Sequence, residues 1–146
     1  AITIIGYQPL YRWLTLLMMN TGGSATPPVL MKTAITRARL TELLGQDYFD
    51  RQGRDNLFIV GMFSMLDAIF EMPIESVLEK LNLPEAVTEA LLTRTGIYGP
   101  FLELVEACEG EDVERINALA ESLALNSDRV NEAHLQALTW AEALAA

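Results

Sequence analysis

The stretch from Leu57 to Phe70 constrains the fold more than any other part of this chain. Its residues are almost all apolar, and Ser64 and Asp67 are the polar exceptions. A helix that spans a membrane needs about 20 apolar residues, which is more than this stretch supplies. The segment from Leu57 to Val60 alone would also suit a buried strand, but the unbroken continuation to Phe70 favours a helix. The stretch therefore predicts a helix buried in a protein core.

The rest of the chain has the apolar spacing of helices, with breaks at proline and glycine. No window of five or more residues alternates between apolar and polar in the manner of a strand. The polar segment from Gln46 to Asp55, which contains Gly53, is interpreted as a connection. We predict an all-α fold, a compact bundle of about seven or eight helices that takes residues 1–146 as a single domain. The predicted helices begin near Pro9, Thr26, Leu57, Pro73, Pro84, Pro100, Asp112 and Arg129.

The charge balance excludes two classes of partner. Twenty acidic residues against ten Lys and Arg give a formal charge of −10. Nucleic acids and anionic membranes both require clustered cations, and the cations here are scattered. We therefore expect neither a nucleic-acid nor a membrane partner. Cys108 is the single cysteine, so no intrachain disulfide can form. A lone thiol is typical of a reducing compartment, and we predict a cytoplasmic protein.

The sequence offers little that could carry catalysis or bind a metal. His134 is the single histidine, and no HExxH, CxxC or Glu-x-x-His pattern is present. The acids near Cys108 disfavour its thiolate, and no serine lies in a nucleophile elbow. The cluster of Asp47, Asp50 and Asp55 does not have the spacing of a calcium loop. We therefore predict no catalytic residue, no metal ligand and no cofactor.

Two features remain as candidate functional positions. Asp67 lies within the apolar third helix, where a carboxylate must be hydrogen-bonded, paired or near the surface. A neighbouring helix terminus or Arg37 is the candidate partner in a buried polar site. The start of the chain is rich in large apolar residues, which belong either to the core or to a docking surface. The candidate interaction surface consists of Tyr7, Tyr11, Trp13 and Met18.

The third helix and the residues after it resemble a known family. The run from Phe58 to Phe70, followed by Met72-Pro73-Ile74-Glu75, is similar to the second half of an HDOD domain of the kind attached to EAL domains in bacterial cyclic di-GMP signalling proteins. The resemblance continues through the Leu83-Pro84 pair and covers nearly the whole chain. It implies that the first helices of the HDOD domain, and any EAL domain, precede Ala1, so we expect this chain to be the C-terminal part of such a domain.

The resemblance also places a degenerate metal site. HDOD domains resemble HD-type metal phosphohydrolases, in which a Gly-Leu-Leu-His-Asp type motif supplies a His-Asp metal pair. Here Gly61-Met62-Phe63 matches the lead-in, and Ser64 and Met65 stand at the His and Asp positions. A serine hydroxyl is a poor ligand for a divalent cation, and hard cations reject a thioether. An upstream ligand histidine would fall near residues 32–34, where none is present.

Three hypotheses follow. The first is a non-catalytic regulatory domain in bacterial signal transduction that binds proteins, either its own EAL domain or a second copy, and we expect a homo-oligomer. The second is a metal-dependent phosphohydrolase with an atypical HD site built from Asp47, Asp50, Asp67 and His134. The third is a bundle that binds a small ligand. For this last case Arg12, Arg37 and Arg39 are the candidate phosphate-binding residues, and no binding of cyclic di-GMP is expected.

Overall fold

A computed structural model of the protein describes residues 28–65, 67–68, 73–79, 83–110 and 112–145. Seven helices and no strand lie within these residues, which confirms the predicted all-α class. The predicted helix starting near Pro9 lies outside them. The helices are α1 (Pro28–Leu44), α2 (Arg51–Phe63), α3 (Ile74–Glu79), α4 (Glu85–Thr93), α5 (Gly99–Glu109), α6 (Val113–Ser122) and α7 (Ser127–Ala145).

The central apolar helix differs from its prediction at both ends. It starts at Arg51, six residues earlier than predicted, because the Asp50 side chain caps it by accepting from the Gly53 amide at 2.9 Å. Residues 51–55 were therefore wrongly assigned to a connection. The helix ends at Phe63, not Phe70, and Ser64 is its C-cap. Apolar spacing alone indicated neither the N-cap at Asp50 nor the end of the helix at Phe63.

Helix α1 lies at the centre of the bundle and packs against α2, α5 and α7. Its contact with α2 is close because Gly61 has no side chain. A Cβ atom at Gly61 would lie 2.6 Å from the Cα atom of Ala38 and 2.7 Å from Oγ1 of Thr41. Ala38 and Thr41 are themselves fully buried. This contact holds the last turn of α2 against the middle of α1.

Helix α7 covers the other side of α1 through a row of small residues. Ala133, Ala137 and Ala141 are fully buried, and their four-residue spacing forms one face of the helix. Trp140 lies beside this row, with its ring edge-on to Phe58 and beneath the guanidinium of Arg39, which is 5.3 Å from the ring centroid. Within the described residues, no helix is long and apolar enough to cross a membrane.

Candidate functional site

Ser64 and Met65, where the family resemblance predicts a degenerate metal pair, lie at the end of α2 in the interior of the bundle. Ser64 and Met65 are both buried. The Ser64 hydroxyl donates to the carbonyl of Gly61 at 2.7 Å and accepts from Nη1 of Arg37 at 2.9 Å. Both the hydrogen and a lone pair of this hydroxyl are therefore used by neighbours on α1 and α2.

Arg37 of α1 links this position to α5. Its Nε and Nη2 atoms each donate to the carboxylate of Glu109 at 2.7 Å, which forms a bidentate ion pair. Its Nη1 atom also lies 3.6 Å from Oε2 of Glu106. Only 11% of the Arg37 side chain is exposed. The side chain thus joins α1, the end of α2 and α5 through charge-assisted hydrogen bonds.

Glu106 extends the network to Arg94, the C-cap of α4. The Arg94 guanidinium donates to both Glu106 oxygens, at 2.7 and 2.9 Å, and also to the carbonyl of Leu91. Burial by itself raises the pKa of Glu106, but the hydrogen bond from Arg94 and the charges of Arg94, Arg37 and Arg115 outweigh it, so the pKa is lowered. The hydrogen bond to Glu106 likewise raises the pKa of Arg94. Both groups therefore stay charged at neutral pH.

The chain between α4 and α5 is shaped to bring Arg94 to this position. Arg94 adopts the left-handed conformation, with φ of 58°, and the Cβ of any larger residue at Gly99 would lie 2.2 Å from the Arg94 carbonyl carbon. Sequence analysis missed Arg94, Glu106 and Glu109. The available signal was the row of three acids at three-residue spacing in the apolar helix α5, Glu103, Glu106 and Glu109, because acids in an apolar helix require partners.

The predicted buried site at Asp67 is wrong. Asp67 is exposed, and its carboxylate accepts from the neighbouring amide of Ala68 at 2.9 Å. The physical reason is that α2 ends at Phe63, so Asp67 does not continue the buried helix. The Arg37 side chain is 11% exposed, and the carboxylates that it binds are those of Glu106 and Glu109, not that of Asp67.

A cleft of about 250 Å³ adjoins Arg37 between α1, α5 and α7. Its lining includes Leu40, Val105 and Leu138, and His134 is at its edge and half-buried. Lys32 and Arg37 line it too, but each is paired with a carboxylate, Lys32 with Glu142 and Arg37 with Glu109. The cleft therefore has a mainly apolar lining, and the positive charges of Lys32 and Arg37 are neutralised by their carboxylate partners.

The remaining candidates do not assemble into a site. Among the residues that the structure describes, no three His, Cys, Asp or Glu side chains are close enough to hold a metal ion. The atypical metal site of Asp47, Asp50, Asp67 and His134 is therefore not formed there. The candidate interaction surface of Tyr7, Tyr11, Trp13 and Met18, together with Arg12, lies outside the described residues.

The sequence is similar to two curated bacterial proteins. It is 29% identical over 143 residues to the protein YuxH of Bacillus subtilis (strain 168), covering 96% of this chain and 34% of that protein. It is 28% identical over 142 residues to the cyclic di-GMP phosphodiesterase CdgJ of Vibrio cholerae serotype O1, covering 97% of this chain and 33% of CdgJ. The chain thus spans about a third of the length of these relatives. No family model and no solved structure matches it.

Proposed function

We propose that this chain is a non-catalytic regulatory module of the HDOD type that acts by binding other protein surfaces in cyclic di-GMP signalling. The observation that carries the proposal is the chemistry of the degenerate HD position. Ser64, which replaces the metal-binding histidine, is held by Arg37 and the Gly61 carbonyl. A guanidinium 2.9 Å from that oxygen opposes a divalent cation at the same place.

The signalling context is supported by similarity to CdgJ, which is named a cyclic di-GMP phosphodiesterase. Because this chain matches only a third of CdgJ, that activity can belong to a part of CdgJ without a counterpart here. In this proposal the chain regulates such a catalytic part, or a second copy of itself, by contact. An EAL domain in the longer protein is the catalytic part that the family resemblance implies.

The α7 surface is the place on the described chain where we expect a protein contact. Leu135 and Leu138 are 67% and 41% exposed and lie one turn apart. Leu138 also lines the cleft between α1, α5 and α7. Exposed leucines beside an apolar cleft suit an apolar side chain from a partner.

Light scattering on the purified chain tests the binding role. We expect a homo-oligomer that dissociates in a Leu135→Asp/Leu138→Asp variant. Ile97→Asp, which introduces the same kind of charge at a 58% exposed residue between α4 and α5, is the matched control and should leave the assembly unchanged. A chain that remains monomeric and does not bind the rest of the longer protein would contradict the proposal.

Metal analysis and a phosphodiesterase assay test the non-catalytic role against the atypical phosphohydrolase. We expect no stoichiometric Mn²⁺, Fe²⁺ or Zn²⁺ in the purified chain and no hydrolysis of cyclic di-GMP by it. Stoichiometric metal that is lost when Ser64 or Asp67 is replaced by alanine would establish the phosphohydrolase instead.

A further inference from the structure

A second cleft, of about 420 Å³, brings together three arginines of a strongly acidic chain. It lies between the C-terminal half of α1 and the first turns of α2. Its lining carries three arginines and two carboxylates, a formal charge of 3 − 2 = +1, whereas the whole chain carries −10. The lining residues are Arg39, Glu42, Leu43, Gln46, Arg51, Arg54 and Asp55.

Within the described residues, the guanidiniums of Arg51 and Arg54 are available to a ligand. They are three residues apart in the first turn of α2, a spacing that places both side chains on one face of the helix. Neither forms an ion pair within 4 Å or a side-chain hydrogen bond with the described part of the chain. The positive end of the dipole of this 13-residue helix adds to their charge.

Arg39 adds a donor from the opposite side of the cleft. Its Nη1 atom binds Glu42 and its guanidinium lies over Trp140, which fixes its orientation. Its Nε atom is buried and donates to no described residue. A buried charged donor without an acceptor is costly, so a shift of the Arg39 side chain that brings Nε to an anion in the cleft would be favourable.

The two carboxylates of the cleft limit what can bind. Glu42 is engaged by Arg39. Asp55 is half-buried, and its burial raises its pKa although the charges of Arg51 and Arg54 lower it. A ligand must therefore present enough negative charge to compete with Asp55 for the two free guanidiniums, which favours a phosphate group over a single carboxylate.

We propose that this cleft binds the phosphate group of a ligand through Arg51, Arg54 and Arg39. The guanidinium fork matches two phosphate oxygens at once. The cleft beside His134 does not have this capacity, because its Lys32 and Arg37 are already paired with Glu142 and Glu109. The inference goes beyond the proposed function and does not depend on it.

Titration calorimetry with pyrophosphate at physiological ionic strength tests the site. We expect saturable binding to one site per chain, weakened at least about tenfold, or about 1.4 kcal/mol, in an Arg51→Ala/Arg54→Ala variant. Alanine has the highest helix propensity, so this variant should fold, and thermal unfolding checks that it does. Acetate should bind much more weakly than pyrophosphate.

Arg115→Ala is the matched control, because Arg115 is a surface arginine on α6 and its removal takes away one positive charge, as each substitution in the double variant does. It should bind pyrophosphate like the unmodified chain. Two results would overturn the proposal. One is no saturable binding up to millimolar pyrophosphate. The other is a loss of pyrophosphate affinity in Arg115→Ala that is as large, per substituted arginine, as the loss in the double variant.

Discussion

Gly61 of α2 lies directly against the backbone of Ala38 in α1, where a Cβ atom would come within 2.6 Å of the Ala38 Cα. The obstacle is backbone, which cannot rotate away as a side chain can. Gly61→Ala should therefore lower the free energy of unfolding by about 1–3 kcal/mol, measured by urea denaturation. Gly110→Ala is the control, because its Cβ would meet only the Ala107 carbonyl oxygen, at 3.6 Å. Equal stability of the two variants would contradict the close contact.

The Arg94–Glu106 pair should make stability depend on pH in the acid range. The pKa of Glu106 is lowered in the folded protein below its usual 4.5. The contribution of the Glu106 carboxylate to the stability of the folded protein is therefore complete above that value and is lost as the pH falls through the lowered pKa. Chemical denaturation between pH 3 and pH 7 should show this loss, and Glu106→Gln should reduce it. Glu103→Gln, which removes a 3.6 Å contact with Arg115, is the control, and a similar effect of both substitutions would refute the assignment.

Tyr98 and Asn56 form a buried polar pair between α2 and the start of α5. The Asn56 amide donates to the Tyr98 hydroxyl at 3.0 Å, and both residues are buried. Tyr98→Phe should cost about 1–3 kcal/mol of stability, because it leaves a buried donor unsatisfied. Tyr48→Phe makes the same chemical change at a ring that is 49% exposed, where the hydroxyl donates to the Leu123 carbonyl. Thermal unfolding should show the larger effect for Tyr98.

Cys108 should react slowly with thiol reagents. Burial and the neighbouring charge of Glu109 raise the pKa of its thiol, and the thiolate is the reactive species. The rate of alkylation by iodoacetamide should therefore rise at a higher pH in the folded chain than in the chain unfolded by urea. A folded-state profile that coincides with the unfolded one would show that the local environment has no such influence.

The sequence predicted the helical class and most helix starts because proline, glycine and apolar spacing act locally. Pro73 and Pro84, which were predicted to open helices, both immediately precede them. The end of α2 was mistaken because the sequence from Met65 to Phe70 is apolar except for Asp67, although α2 ends at Phe63. The Arg37 network could not be predicted in detail, since it joins residues 72 positions apart, and such pairings follow from packing.

The packing of α7 on α1 has a consequence for biosynthesis. The first and last described helices cover each other, and the ion pair of Lys32 with Glu142 closes a loop of 110 positions. While the ribosome is still making the middle of the chain, α1 has no α7 to pack against, so the contacts of Lys32 with Glu142 and of Arg39 with Trp140 cannot form. The packing of α7 on α1 can form only after α7 has left the exit tunnel, so a nascent chain stalled before α7 would be a natural target for chaperones.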